Sequence, residues 1–250
     1  MIRKQDRGNL LLKNRLLNMK DLLLQLYNQH DKAREVYDKA CDVSKHFENL
    51  NERDIRRTHI GNLGTEILVS MRNLEINIQF AEKNHKELMK IFNSDEFEIE
   101  LYFDHLSQSL RENIINTFLI QTELIFRFYY SKITGKTPGK ERNLHCIFAL
   151  LYDDVVNKWT KEECKLLVLI WTLRNMIHTG GIYFKNVQGH NIEYKGKEYK
   201  FEYGKSHELI KESGIMELML PLLDALKILF LSDKIKNLGY CEDPSIFALI

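Results

Sequence analysis

Apolar residues recur along most of this 250-residue chain at steps of three and four, the period of a helix with one buried face. Over residues 9–50 the positions Leu12, Leu16, Met19, Leu23, Leu26, His30, Ala33, Tyr37, Ala40, Ser44 and Phe47 alternate steps of four and three. That is a heptad-like seam, and further leucines at 10, 11, 17, 22 and 24 widen it in the first half. The pattern predicts a long amphipathic helix packed on the rest of the protein rather than a free coiled coil. Polar residues 49–57 read as a connection whose Arg53, Arg56 and Arg57 form a solvated basic cluster. Gly61 and Gly64 then punctuate the start of a second helix at about 65–92, with Ile67, Met71, Leu74 and Ile78 on its buried side.

A third, strongly apolar helix is predicted over 104–133 with Asp104 as N-cap, a fourth over about 141–157, and a fifth over about 161–178. Thr160 and Glu163 stand at capping-box spacing before the fifth. After it the period changes to two. Residues 182–203 alternate on both sides of Gly196-Lys197, predicting a hairpin with a type II′ turn and with Tyr194, Tyr199, Phe201 and Tyr203 split between its faces. A last helix is predicted over 215–236, with Pro221 tolerated in its first turns or kinking it. The expectation is a mainly α protein: a helical bundle with an inserted β-hairpin. An N-terminal helical region (1–95) extends a helical domain spanning 100–240.

Three prolines and twelve glycines agree with long helices. The net charge of +1 supplies no global field toward nucleic acid or acidic lipid, so any RNA site must be a local patch. Cys41, Cys146, Cys164 and Cys241 are scattered, with no Cys/His cluster at zinc spacing. Reduced thiols, no metal and no cofactor are expected. The basic N-terminus leads into leucines interrupted by Lys13, Asn14 and Arg15, which is not a secretory signal, and no apolar run approaches a membrane span. A cytoplasmic location without membrane contact is expected.

The chemistry-bearing stretch is Trp171-Thr-Leu-Arg-Asn-Met-Ile-His-Thr-Gly-Gly-Ile-Tyr183. Arg174 and His178 are four apart on one helical face, Asn175 flanks them, and Gly180-Gly181 supply the left-handed geometry that ends a helix. A guanidinium can grip a phosphate at two points while an imidazole moves protons near neutral pH. The structural alternative is an Arg174 paired to a carboxylate and a His178 that caps its own helix. Arg-Asn-x-x-His-x-Gly-Gly closing an apolar helix resembles the signature of HEPN domains, helical bundles many of which are RNases of toxin, antiphage and CRISPR-linked systems. Three residues separate Arg174 from His178, where that family usually has four to six. The resemblance implies that an acidic residue on the preceding long helix faces the motif, which points to Glu123 as partner of Arg174. Read without it, Glu123 is a carboxylate at the edge of the apolar stripe facing water.

The resemblance further implies a homodimer in which two motifs meet, and metal-independent RNA cleavage by attack of the 2′-OH on the adjacent phosphate. His178 of each chain would share the proton transfers, Arg174 would stabilise the developing charge, Asn175 would orient a phosphate oxygen, and Glu123 would fix Arg174. The rival expectation is a non-catalytic helical interaction domain with a protein partner. Gly135 to Lys140 is no phosphate loop, because Glu141 follows the lysine and a helix precedes it. Arg127, Lys132, Lys136, Lys140 and Arg142 nonetheless interleave with Phe126, Phe128, Tyr129 and Tyr130, aromatics expected in the core.

Overall fold

A computed structural model of the chain describes residues 4–83, 87, 90–92, 96–136, 144–152, 159–211 and 214–242. The fold is mainly helical with one two-stranded antiparallel hairpin. Helix α1 (Lys4–Ser44) ends in a 3₁₀ turn (Lys45–Phe47), and the chain doubles back into α2 (Ile55–Lys83). The pairing is antiparallel: Tyr27 donates to Glu82 at 2.6 Å, His30 meets Glu75 at 3.0 Å, and Ala40 packs beside Gly64. The buried positions of α1 and the turn that ends it include Leu26, Ala33, Val36, Ala40, Val43 and Phe47, so the helix packs on the body, but Val36 and Val43 take the buried line where the seam had Tyr37 and Ser44, which are half-buried. Leu12, Leu16 and Met19 lie outside the described side chains.

Two helix starts lie earlier than the sequence reading placed them. Asp54 caps α2 by accepting the backbone N–H of Arg56 at 3.0 Å, so Gly61 and Gly64 fall inside the helix and not before it. Helix α3 (Glu96–Thr134) begins eight residues before Asp104, which lies within it and is no cap. Arg56 also leaves the predicted solvated cluster. Its side chain is buried, with Nε and Nη2 donating to Asp54 at 2.8 and 2.7 Å and Nη2 to the carbonyl of Gly239 at 2.9 Å. Burial raises the pKa of Asp54, but the bonds from Arg56 and from the Cys241 amide outweigh it and hold the carboxyl below its usual range. Ile55 N–H completes the contact by donating to the carbonyl of Cys241 at 2.8 Å.

Helix α4 (Leu144–Leu150) is followed, after residues outside the description, by α5 (Lys161–Ile177). The Thr160–Glu163 capping box is formed, and Glu162 accepts from Lys195 of the hairpin at 2.9 Å. Strands β1 (His190–Tyr194) and β2 (Lys197–Phe201) pair with Tyr194 opposite Lys197. The turn is therefore Lys195-Gly196, both at positive φ (48° and 73°), one residue earlier than the predicted Gly196-Lys197 and of type I′ geometry. Moving a two-residue turn by one position shifts the pairing by two residues and leaves every side chain on its face. Ile192 and Tyr194 are two apart on β1 and pair across to Tyr199 and Lys197, so Ile192, Tyr194, Tyr199 and Phe201 share one buried face packed toward α5 and are not split between faces as expected; Tyr203 alone of the four aromatics named above is exposed. Burial pushes the Tyr194 hydroxyl up to about 12.

The single C-terminal helix of the prediction is divided. Short turns α6 (Glu208–Lys211) and α7 (Gly214–Glu217) precede α8 (Met219–Phe230), with Pro221 in its first turn, and α9 (Asp233–Asn237) follows a break at extended Ser232. Helix α8 fills the centre of the bundle: Leu222, Leu223, Leu226, Leu229 and Phe230 are all inaccessible. Phe230 stands edge-on to Phe47 at 5.6 Å and close to Tyr129 at 5.9 Å. One continuous core thus joins residues from Ala33 to Cys241, and a smaller cluster of Leu26, Leu74, Ile78, Ala81, Ile99 and Phe103 closes the other end of α1–α3.

Candidate active site

Helix α5 is held by an apolar face of Leu166, Leu167, Leu169, Ile170 and Leu173, all buried, which leaves Arg174, Asn175 and His178 at its end toward solvent. The helix stops as the sequence requires. His178 is the C-cap residue, Gly180 and Gly181 take φ of 68° and 82°, and the Gly181 N–H returns to the Met176 carbonyl at 2.8 Å. Thr179 tightens the turn by donating to the Met176 carbonyl at 2.9 Å.

Arg174 reaches across to α3. Its Nη2 donates to Glu123 Oε2 at 2.8 Å, and its Nη1 to Asn175 Oδ1 at 3.2 Å. The other oxygen of Glu123 accepts from Arg127, one turn further along α3, at 2.8 Å. Glu123, with 15% of its side chain exposed, is bound on both oxygens and does not simply face water. One carboxylate between two guanidiniums leaves a local excess of positive charge that the whole-chain balance of +1 conceals. Both arginines remain about a quarter exposed, so each keeps N–H donors within reach of an anion.

His178 is exposed and opens onto a cavity of about 650 Å³ between α3, the end of α5 and the segment around Ser206 and Ile210. Gln108, Glu112 and Asn116 of α3 supply polar groups to the same cavity, with Ile120 and Ile177 on its apolar side. Asn175 lies elsewhere: it lines a separate, mostly apolar cavity with Met176, Tyr183 and Phe184. The structure therefore brings Glu123, Arg174 and Asn175 into direct contact and places His178 one turn further on, over its own cavity.

Sequence reasoning named Arg127 only within a basic-aromatic run. Its position four residues after Glu123 was the available signal. Glu112 was not singled out, and only the three-and-four spacing of Gln108, Glu112, Ile115 and Asn116 points to a shared face. Of the aromatic run, Phe126, Tyr129 and Tyr130 are core, and Phe128 packs partly buried beneath Lys132. Lys140 and Arg142 lie outside the described residues, as does the turn from residue 137 onward. Among the described residues no group of His, Cys, Asp and Glu could hold a metal ion, and no helix is long and apolar enough to cross a membrane. No protein-family model, curated protein or solved structure matches the chain.

Proposed function

We propose that the protein is a metal-independent endoribonuclease acting at a site composed around Arg174 and His178. The observation that supports it best is the positively charged pair Arg127–Arg174, oriented by Glu123, one turn from an exposed imidazole at the mouth of a cavity. In this reading Arg174 binds the phosphate and stabilises the charge that develops on attack by the 2′-OH, and His178 transfers protons. Glu123 positions both arginines and does not touch substrate.

A single motif histidine per chain leaves the reaction short of either its base or its acid. A homodimer with two His178 facing one another supplies both. Ile120 and Leu124, about half exposed on the face of α3 beside Glu123, are the apolar residues such an interface would cover. The second reading, a non-catalytic interaction module, is favoured by one observation: Glu123 and Asn175 already occupy two N–H groups of Arg174.

The discriminating experiment incubates purified protein with a mixed cellular RNA pool in the presence of EDTA. The ribonuclease reading expects fragments ending in 2′,3′-cyclic phosphate, with turnover reduced roughly 100-fold or more in His178→Ala and in Arg174→Ala. Equal cleavage by wild type and His178→Ala, or none by either, leaves the interaction module. Light scattering that finds a monomer at micromolar concentration removes the composite site.

A further inference from the structure

The second cavity beside the motif, about 360 Å³, is built differently from the first. Its floor is apolar and firm, because Met176 and Tyr183 are nearly inaccessible. At its edge stands Phe184, half exposed, packed edge-to-face with Tyr203 at 5.6 Å. Neither ring sits on a loose loop. Tyr183 N–H donates to the Lys205 carbonyl at 3.1 Å, Gly204 N–H donates to the Tyr183 carbonyl at 2.8 Å, and Ile182 bridges to Ser206. Two aromatic residues held half exposed by a backbone ladder are an unusual expense of apolar surface for a pair that the core does not need.

The polar groups at the rim have a definite pattern. The Arg174 Nη1–H bond fixes the Asn175 amide with its oxygen toward Arg174, so that its NH₂ donors are free for a ligand. Lys185 lies at the rim without a carboxylate partner among the described residues, and no acidic side chain lines the cavity. An apolar slot with an aromatic wall, an amide donor and one unopposed cation fits a planar heterocycle carrying acceptors on its edge and a phosphate beside it.

We infer that this slot receives one unpaired nucleobase of a single-stranded RNA, stacked on Phe184, whose ring Tyr203 braces edge-on, with the adjoining phosphate at Lys185. The inference rests on the ribonuclease reading, and it places the base next to the helix end from which Arg174 would hold the scissile phosphate. Asn175 would then read the base edge and not the phosphate. A double helix keeps its bases stacked internally and cannot fill the slot, so the site selects unpaired strands.

The test measures binding separately from cleavage. Wild-type protein is titrated into a short, fluorescently labelled 2′-O-methyl RNA of mixed sequence, which lacks the attacking hydroxyl and stays intact. Phe184→Leu keeps apolar volume without a stacking face, and Tyr203→Ala removes the second ring. Phe184→Leu should weaken binding roughly 5- to 100-fold, the range for loss of one base–aromatic stack, and Tyr203→Ala, which removes the brace and not the stacking face, should weaken it by less. Phe184→Tyr restores a face and should bind within about twofold of wild type by the same stacking argument. Lys185→Gln should lower the salt dependence of binding by about one phosphate contact. A blunt-ended RNA duplex of the same length, which has no unpaired bases, should compete poorly.

Melting curves identify any variant that fails to fold, and the Leu–Tyr comparison at position 184 does not require an alanine there. Equal binding by wild type and Phe184→Leu overturns the inference and leaves the ribonuclease reading intact. Equal loss in Phe184→Leu and Phe184→Tyr overturns it too, because the ring face is then not what is recognised. A protein that cleaves RNA yet binds the single strand and the blunt duplex alike also refutes the slot. Absence of both binding and cleavage removes both readings.

Discussion

At the level of single residues, the site shows that the environment of a carboxylate decides its meaning. Glu123 could be read from sequence either as a solvent-facing edge residue or as a partner of Arg174. Only the crossing of α3 and α5 brings it to 2.8 Å from that guanidinium. His207 makes a similar point for an imidazole that the sequence reading passed over. It is buried, stacks on Phe201 at 4.6 Å, and accepts the Leu209 N–H at Nδ1. Burial lowers its pKa below the usual 6.5, with Glu208 acting to raise it and Lys197 to lower it. The unfolded chain therefore takes up a proton below about pH 6.5 that the folded protein refuses until the pH falls through the lowered value. Stability contributed by neutral His207 should be complete above that window and decline as the pH drops within it. Urea midpoints measured at pH 7.5 and 5.5 should fall on acidification, and by less in His207→Gln.

At the level of elements, the existence of helices and hairpin was legible, and the boundaries were not. The three-and-four period that predicts α1, α3 and α5 survives because each buries one continuous face. Glycine misled the reading of α2. Gly61 and Gly64 read as punctuation in the sequence, but both lie inside the helix; Gly64 faces Ala40, where α1 and α2 approach, and Gly61 faces open space. A residue without packing or dihedral reason to be glycine carries only its entropic cost. Gly61→Ala should accordingly stabilise the protein by roughly 0.5–1 kcal/mol, seen as a rise in Tm of about 1–4 °C in calorimetry. The hairpin failed by one residue for a related reason: in Tyr-Lys-Gly-Lys the glycine fits either position of a two-residue turn. The observed register sets Ile192 opposite Tyr199 and Tyr194 opposite Lys197, with positive φ on Lys195 and Gly196.

At the level of the whole molecule, the chain closes on itself through a contact that no local pattern announces. Asp54 and Arg56 looked like part of a solvated connection because their partners lie more than 180 residues away in sequence. With side chains only 2% and 7% exposed, the pair is expensive to break from one side. Arg56→Ala should destabilise by about 3–5 kcal/mol in chemical denaturation. The double variant Asp54→Ala/Arg56→Ala should lose less than the sum of the two single changes, because no uncompensated charge then remains. The same contact sets an order of events during synthesis. A ribosome adding about 5–20 residues per second needs on the order of ten to forty seconds to travel from Arg56 to Cys241. Once α2 is complete and has left the exit tunnel, the α1–α2 hairpin is exposed for the rest of that interval while Phe230, Gly239 and Cys241 do not yet exist. Phe47 and Ile55 then face water, and the charged pair beside them stays hydrated. Asp54 and Arg56 can thus be buried only after the last helices arrive, which makes this contact one of the last to close as the chain is made.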